Sequence, residues 1–385
     1  MKSYIKKHVM KILGAKYRRY ASNFLGIFNI FSVVYNFLKL CSYSKKRILV
    51  VYDLSAQPFS VGDFLLAQEA GLILCSENKG DMVDVAIILD PAKPKSNDPA
   101  FESINSKNYL YNFSAIFPIL QFNKKLGSIF VFNDATQLIK LLKNRKSYIT
   151  VWPSVKNIFL TRRYLHYLAF DEVIFPNWKK FRKLPDLEPI DYLRDWAEFF
   201  IKKFCNGKVV ITVNFRNNKS FQTERNLDID IWYQFFCDCK AKKNIIFVVV
   251  CARNEIDDRL RSCPNVIFSK DHDTTIEQDL ALIAIGDIHM GSSSGPATVA
   301  WFTQNKPYFI VRFTLSPSDF ETSCLIETDT KGYYRYIFST QFQTFYSGKE
   351  TLNMLILKLQ EMLVVVEPKK RISKSGNDKI QNWLR

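Results

Sequence analysis

Two apolar runs, Lys208-Val-Val-Ile-Thr-Val213 and Asn244-Ile-Ile-Phe-Val-Val-Val-Cys251, flank an amphipathic stretch at 228–240 and decide the reading of the fold. Short β-branched runs with almost no polar interruption are what parallel strands covered on both faces require. A strand, a helix and a second strand in that order predict a βαβ unit with a right-handed crossover. The alternation continues downstream: helices over 254–261, 276–284 and 295–304, and strands over 265–268, 286–289 and 307–311. A helix over 191–204 leads into this half, and another over 350–366 precedes a charged tail.

Upstream the same pattern is looser. Residues 47–52 read as a buried strand, 53–62 as a polar turn and 63–71 as a helix. Further strands are predicted at 83–89, 128–132, 148–152 and 172–175, while 113–120 has no clear period. Pro91, Pro94 and Pro99 make 90–100 a surface loop, and Pro176, Pro185 and Pro189 make 176–191 an interdomain linker. A chain of 385 residues also exceeds what one hydrophobic core usually holds. The expected fold is therefore α/β, with two Rossmann-like domains at 47–190 and 191–350, an interdomain cleft, and a helix and tail at 351–385.

Composition narrows the class. With 47% hydrophobic residues, 32 Phe and 18 Tyr, the chain can bury enough surface to offset the entropy of ordering it, which excludes wholesale disorder. The eight cysteines are scattered and form no CxxC pair, so they read as reduced thiols rather than a zinc or redox centre. The net charge is +17, and it is unevenly placed: no Asp or Glu occurs before Asp53, whereas Lys2, Lys6, Lys7, Lys11, Lys16, Arg18, Arg19, Lys39, Lys45, Lys46 and Arg47 do. Within this arm, 24–41 is apolar but broken by Asn29, Ser32 and Asn36, too polar for a spanning helix and without a secretory cleavage site. Residues 1–46 are accordingly expected to be a basic amphipathic helical arm. It lies on an anionic membrane surface or packs on the protein itself. The expected location is cytoplasmic, peripheral on the inner face of the membrane.

Chemistry is expected in two places. Met290-Gly-Ser-Ser-Ser-Gly-Pro296 lies between a short strand and a helix; there small residues let backbone N–H groups approach an anion, and hydroxyls and a helix N-terminus add to the attraction. Gly291, Ser292, Ser293, Ser294 and Gly295 are thus candidates for a phosphate or sugar cradle, or else form a plain helix-capping turn. Asn214 and Arg216 end the first strand of this half, Arg225 and Asn226 close the loop after it, and Arg253 follows the next strand. Ligands of open parallel sheets bind at such carboxyl ends, and an arginine fork contacts two phosphate oxygens at once. For proton transfer the candidates are Asp53 and Asp63, after the first strand of the chain, and His289 beside the Gly-Ser turn. Asp63 could equally cap its helix, and His289 could be a core histidine.

Strand, Asn-x-Arg, Arg-Asn, helix and strand, then Asp279-Leu-Ala-Leu-Ile, Gly291-Ser-Ser-Ser-Gly-Pro and Asn305-Lys-Pro-Tyr, follow one another in an order that resembles the carboxyl-terminal half of bacterial surface-polysaccharide glycosyltransferases of capsule and lipopolysaccharide, with GT-B architecture. The resemblance is best over 208–311. Tyr52-Asp-Leu-Ser-Ala-Gln-Pro-Phe-Ser-Val-Gly-Asp63 is similar in placement to the acceptor-side first loop of those enzymes. It implies sugar transfer from a nucleotide-sugar donor to a growing glycan or lipid-linked acceptor, metal-independent and with no cofactor beyond that donor. Many such enzymes carry a Glu after the Gly-rich turn to hold the donor ribose. Residues 297–304 contain none, so Glu277 or Asp279 is expected in its place.

Rival readings remain. An epimerase acting on sugar nucleotides shares the fold but does not account for the basic arm. A protein without catalysis is the other rival: a glycan binder, or a nucleic-acid binder, which would suit the pI of about 9.4. Nucleic-acid binders, however, spread their cations along a reading face, so no nucleic-acid partner is expected. Asp271-His-Asp273 could hold a metal, whereas Asp228-Ile-Asp230 reads as a helix-start charge pair.

Overall fold

Apolar runs become the central strands of two sheets. The computed structural model describes residues 46–90, 107–144, 148–158, 163–219, 222–242, 244–313, 325–327 and 332–366. The first sheet contains β1 (Arg47–Asp53), β2 (Met82–Ile88), β3 (Leu126–Phe132) and β4 (Tyr148–Trp152), in the order β3-β2-β1-β4 and parallel throughout. Helix α1 (Val61–Glu77) covers one face; α2 (Tyr109–Ile116) lies between β2 and β3 in the chain; α3 (Ala135–Asn144) sets Leu138 against Leu49, Val51, Ala86 and Ile88 on the other face.

The second sheet holds β5 (Val209–Asn214), β6 (Ile245–Val250), β7 (Val266–Phe268), β8 (Ile288–Ser292), β9 (Tyr308–Val311), β10 (Leu325–Glu327), β11 (Tyr333–Tyr336) and β12 (Gln343–Tyr346). Their order is β10-β11-β12-β9-β8-β5-β6-β7, parallel from β12 to β7, with β11 and β10 added antiparallel at one edge. Every residue of β6, Ile-Ile-Phe-Val-Val-Val, is buried, as befits a central strand covered on both faces. Around this sheet lie α6 (Asp191–Cys205), α7 (Ile229–Cys239), α8 (Ile276–Ile285), α9 (Thr298–Trp301) and α10 (Leu352–Val365); α4 (Leu165–Leu168) and α5 (Phe175–Phe181) precede it in the chain.

Helix α1 is the hinge of the packing. Its residues 64 to 73 are buried without a break, so no side of the helix faces water. A helix apolar on one stripe needs one partner; one buried all round needs two. Here β1 lies against one side, and α9 with the 3-10 turn Gly295–Ala297 lies against another. Ile48, Val50 and Phe64 accordingly share one apolar cluster with Val248, Ile310 and Phe345 of the second sheet. Glu69 is caught inside: it is fully buried, neither carboxyl oxygen has a hydrogen-bond partner among the described residues, and burial, then Asp186, raises its pKa well above the usual range.

Several expected elements differ. Residues 172–175 are not a strand. Ala169–Ile174 is a π-helical turn running into α5, with Leu165, Leu168, Ala169, Phe170, Val173 and Ile174 buried at helical spacing. Pro176 sits in the first turn of α5, where a missing N–H costs nothing, so the expected linker begins as helix. Residues 113–120 are helical, the end of α2 and a 3-10 turn. The helix expected at 254–261 is two 3-10 turns, Arg253–Glu255 and Asp258–Ser262, and that at 295–304 shrinks to a 3-10 turn and one α-turn. β8 extends past 286–289 to Ser292, and the β10–β12 edge was not anticipated. The basic arm and most of the loop at 90–100 lie outside the described residues. Among the described residues no helix is long and apolar enough to cross a membrane.

Candidate anion and transfer site

In each sheet the chain departs first to one side of its opening strand and later to the other. That places a switch point between β1 and β4, and another between β5 and β8. Ligands of open parallel sheets bind outside the carboxyl ends of the strands at such points. The Gly-Ser turn is at the second: Asn214 on β5 pairs in register with Gly291 on β8.

Gly291 has φ +138°, and a Cβ there would lie 2.5 Å from the Asn214 carbonyl oxygen, so the position admits glycine alone. Asn214 Nδ2 donates to the Ser292 carbonyl (2.8 Å) and to Ser294 Oγ (2.6 Å), while its buried Oδ1 has no hydrogen-bond partner among the described residues. Ser292 Oγ donates to the Arg225 carbonyl (2.6 Å). The Arg225 guanidinium returns the contact, donating to the Ser293 carbonyl and to Gln222 Oε1 (2.5 Å). With the Ser293 N–H donating to the Val311 carbonyl of β9 (3.1 Å), the turn is laced from three segments, and two of its hydroxyls face them. Ser294 Oγ accepts from Asn214 and keeps its own proton to donate.

Arg216 and Arg225 are close enough to perturb one another. Burial, then the charge of Arg216, lowers the Arg225 pKa to about 10, with Glu224 opposing. Burial lowers that of Arg216 also, against Glu255 and Glu224. Two guanidinium groups therefore crowd together. An anion at the turn would relieve that repulsion.

The first switch point meets the second. Gly62, at the start of α1, packs on Gly295: a Cβ on Gly295 would come within 2.7 Å of the Gly62 nitrogen, and one on Gly62 within 3.2 Å of Gly295 Cα. Asp63 follows directly, half-buried, in the first turn of α1. The helix is capped by Ser60, whose Oγ accepts from the Asp63 N–H (3.4 Å), so capping does not occupy the Asp63 carboxylate. Asp53 is spent on its own turn: Oδ1 accepts from the Ser55 N–H (2.9 Å) and hydroxyl (2.7 Å).

Other expected site residues sit elsewhere. His289 is fully buried in β8 and not in the site. Thr212 Oγ1 donates to the Ile288 carbonyl and lies 3.0 Å from His289 Nδ1, so Nδ1 carries the proton, and burial, then Lys306, holds the imidazole pKa down to about 3. Asn226 spends both ends of its amide on the backbone of Asn218 (2.9 and 2.6 Å), shaping the loop rather than meeting a ligand. Arg253 forms an exposed ion pair with Asp273, and Asp271 pairs with Arg261 (2.7 Å), so both carboxylates of the second Asp-x-Asp triplet are held by arginines. In the first triplet, Asp228 caps α7, accepting from the N–H groups of Asp230 and Ile231. Asp279 is buried against Lys270 (2.7 Å) and Thr274 (2.6 Å). Glu277, in the first turn of α8, has a buried Oε2 without a hydrogen-bond partner among the described residues, which leaves it the better of the two expected ribose acids. The dipole of a long helix is also missing from the turn, because α9 is one turn long.

One residue of consequence had no local signal. Glu350, buried ahead of α10, accepts from Arg312 Nε (2.6 Å), the Asp228 N–H (2.7 Å) and Trp232 Nε1 (3.2 Å). It thereby anchors the loop that delivers Arg225. Its partners are up to 122 residues away, and no sequence spacing reports such a contact.

No family model matches this chain, and no curated protein matches it. Among solved structures it is similar to a family 9 glycosyl transferase from Veillonella parvula (10% identity, 84% of this chain and 90% of that one, TM-score 0.49). It is also similar to the E. coli heptosyltransferase WaaC with ADP (13% identity, 83% and 99%, TM-score 0.44) and to the fucosyltransferase NodZ from Bradyrhizobium (12% identity, 67% and 93%, TM-score 0.30).

Proposed function

We propose that this chain is a glycosyltransferase that moves a sugar from a nucleotide-activated donor to a glycan or lipid-linked acceptor. One observation carries the reading: Arg225, crowded by the charge of Arg216, reaches a turn braced from three segments at a topological switch point, and Asp63 stands across the Gly62–Gly295 contact. In this reading the arginines and the Ser294 hydroxyl hold the donor diphosphate. As the bond from the anomeric carbon to the phosphate oxygen breaks, they take up the charge left on that oxygen. Asp63 accepts the proton of the attacking acceptor hydroxyl, which forms the new glycosidic bond. Glu277 is proposed for the donor ribose. Transfer proceeds through side chains alone, without a metal. The cleft lies between domains 47–190 and 191–350, and the arm 1–46 holds the enzyme on the inner membrane face.

Thermal shift with nucleoside diphosphates and nucleotide sugars tests this directly. A ligand at a hundred times its dissociation constant adds about 2.7 kcal/mol of stability. Silence with uridine, cytidine, guanosine, adenosine and thymidine diphosphates, and with their sugars, overturns the reading.

A further inference from the structure

Five consecutive exposed residues, Lys179-Lys-Phe-Arg-Lys183, form the C-terminal end of α5 and the bend after it. We propose that this tip is a second contact with an anionic lipid bilayer, built into the folded part of the chain. Nothing in this requires a nucleotide or a sugar, so it goes beyond the transferase reading and can hold where that reading fails.

Buried residues hold the tip on both sides. Before it Asn177 is buried and Trp178 packs edge-on against Phe338; after it Leu184 and Leu187 are buried. Arg182 takes a left-handed conformation, φ 53°, and its N–H closes on the Trp178 carbonyl (2.9 Å), so the helix ends there. Phe181 is thereby left 49% exposed. Lys179 and Lys180 lie over the Phe175 and Phe181 rings, at 4.2 and 4.6 Å from the centroids.

No ion pair among the described residues involves Lys179, Lys180, Arg182 or Lys183. The acids nearest in sequence are engaged elsewhere. Asp171 pairs with Arg163, Glu172 accepts from Trp152 and Asn157, Asp186 accepts from the Gln304 N–H, and Glu188 pairs with Lys124 and Arg194. Four cations with no ion pair among the described residues, around one projecting aromatic ring, match a surface that is negative outside and apolar just beneath. Single-stranded nucleic acid would need a basic groove running along several nucleotides, and a five-residue tip does not supply one.

The test uses the full chain carrying Phe181→Trp and vesicles of phosphatidylcholine with phosphatidylglycerol, their acyl chains brominated or plain. The emission added over wild type is expected to shift to the blue and to be quenched by the brominated anionic vesicles. High salt should abolish this effect. Each cation near such a surface is worth about fivefold in partitioning, so Lys179→Gln with Lys180→Gln should weaken vesicle binding about 25-fold. The melting temperature should not change, because both side chains are exposed. The proposal is overturned if the added emission stays unquenched while the protein sediments with vesicles, if wild type does not sediment at all, or if the double variant partitions as wild type does. Quenching by single-stranded RNA in place of vesicles also overturns it.

Discussion

The two switch points are built in opposite ways. At the ends of β1 and β4 Asp53 holds Ser55 and Ser60 holds the start of α1, while Gln57 reaches out to the backbone of Arg163 and Leu165. At the ends of β5 and β8 the polar side chains reach across the fold, Asn214 to Ser294, Ser292 to Arg225 and Arg225 to Ser293. One loop is local turn chemistry presenting an aspartate; the other is a braced turn presenting arginines. The proposed transfer would use this asymmetry, because the departing diphosphate calls for preorganised cations and the acceptor hydroxyl for a base.

The largest effects should come from breaking each side in its own way. Asp63→Asn is expected to lower transferase turnover by about 10²–10⁴ while leaving nucleotide affinity unchanged, as loss of a general base does. Arg225→Ala should lower turnover by roughly 10²–10³ and weaken nucleoside diphosphate binding as well. Turnover and calorimetric affinity measured on both variants decide the assignment; if Asp63→Asn loses affinity and Arg225→Ala keeps it, the two sides have been assigned the wrong way round.

Breaking the contact itself comes next. Gly295→Ala would drive a Cβ into the backbone of Gly62 and so force the two loops apart. Overpacking of this kind costs about 1–3 kcal/mol, read as a loss in denaturant midpoint, and turnover should fall with it. A variant of wild-type stability and turnover would show that the loops need not touch.

Two buried titratable groups sharpen the comparison between the interior of α1 and that of β8. Glu69 has a folded pKa above its unfolded one, so its contribution is complete below pH 4.5 and is lost as the pH rises. Glu69→Gln should match wild type near pH 4 and exceed it by roughly 1–3 kcal/mol at pH 8, in paired melts. His289 shifts the other way: its folded pKa of about 3 lies under the ordinary 6.5, so stability falls as the pH drops through that window. The slope is about 1.4 kcal/mol per pH unit, and it should be missing from the His289→Gln variant.

Much of the fold was legible because burial on both faces leaves a mark in the chain. The runs at 208–213 and 244–251 have to be apolar to sit at the centre of a parallel sheet, and they became β5 and β6. The Gly-Ser turn was legible for a related reason, since a backbone at φ +138° against another backbone leaves glycine no substitute at 291. Edge elements carried no such mark. β11 is only partly buried and β10 and β12 are short, so neither strand period nor apolar density flags them. At 169–181 a proline in a first helical turn looked the same in sequence as one that ends a helix.

By itself the sequence determined the central strands β1, β5 and β6, the place of the Gly-Ser turn between a strand and a helix, and that the basic charge is concentrated before Asp53, because each of these follows from burial or composition. Tertiary structure alone decided which candidates share a site. Whether His289 faces solvent or core, whether Asn226 meets a ligand or its own loop, and whether Glu350 reaches Arg312 and Asp228 depend on contacts between residues up to 122 positions apart. Side-chain chemistry names what a residue can do, and long-range packing fixes what it can reach.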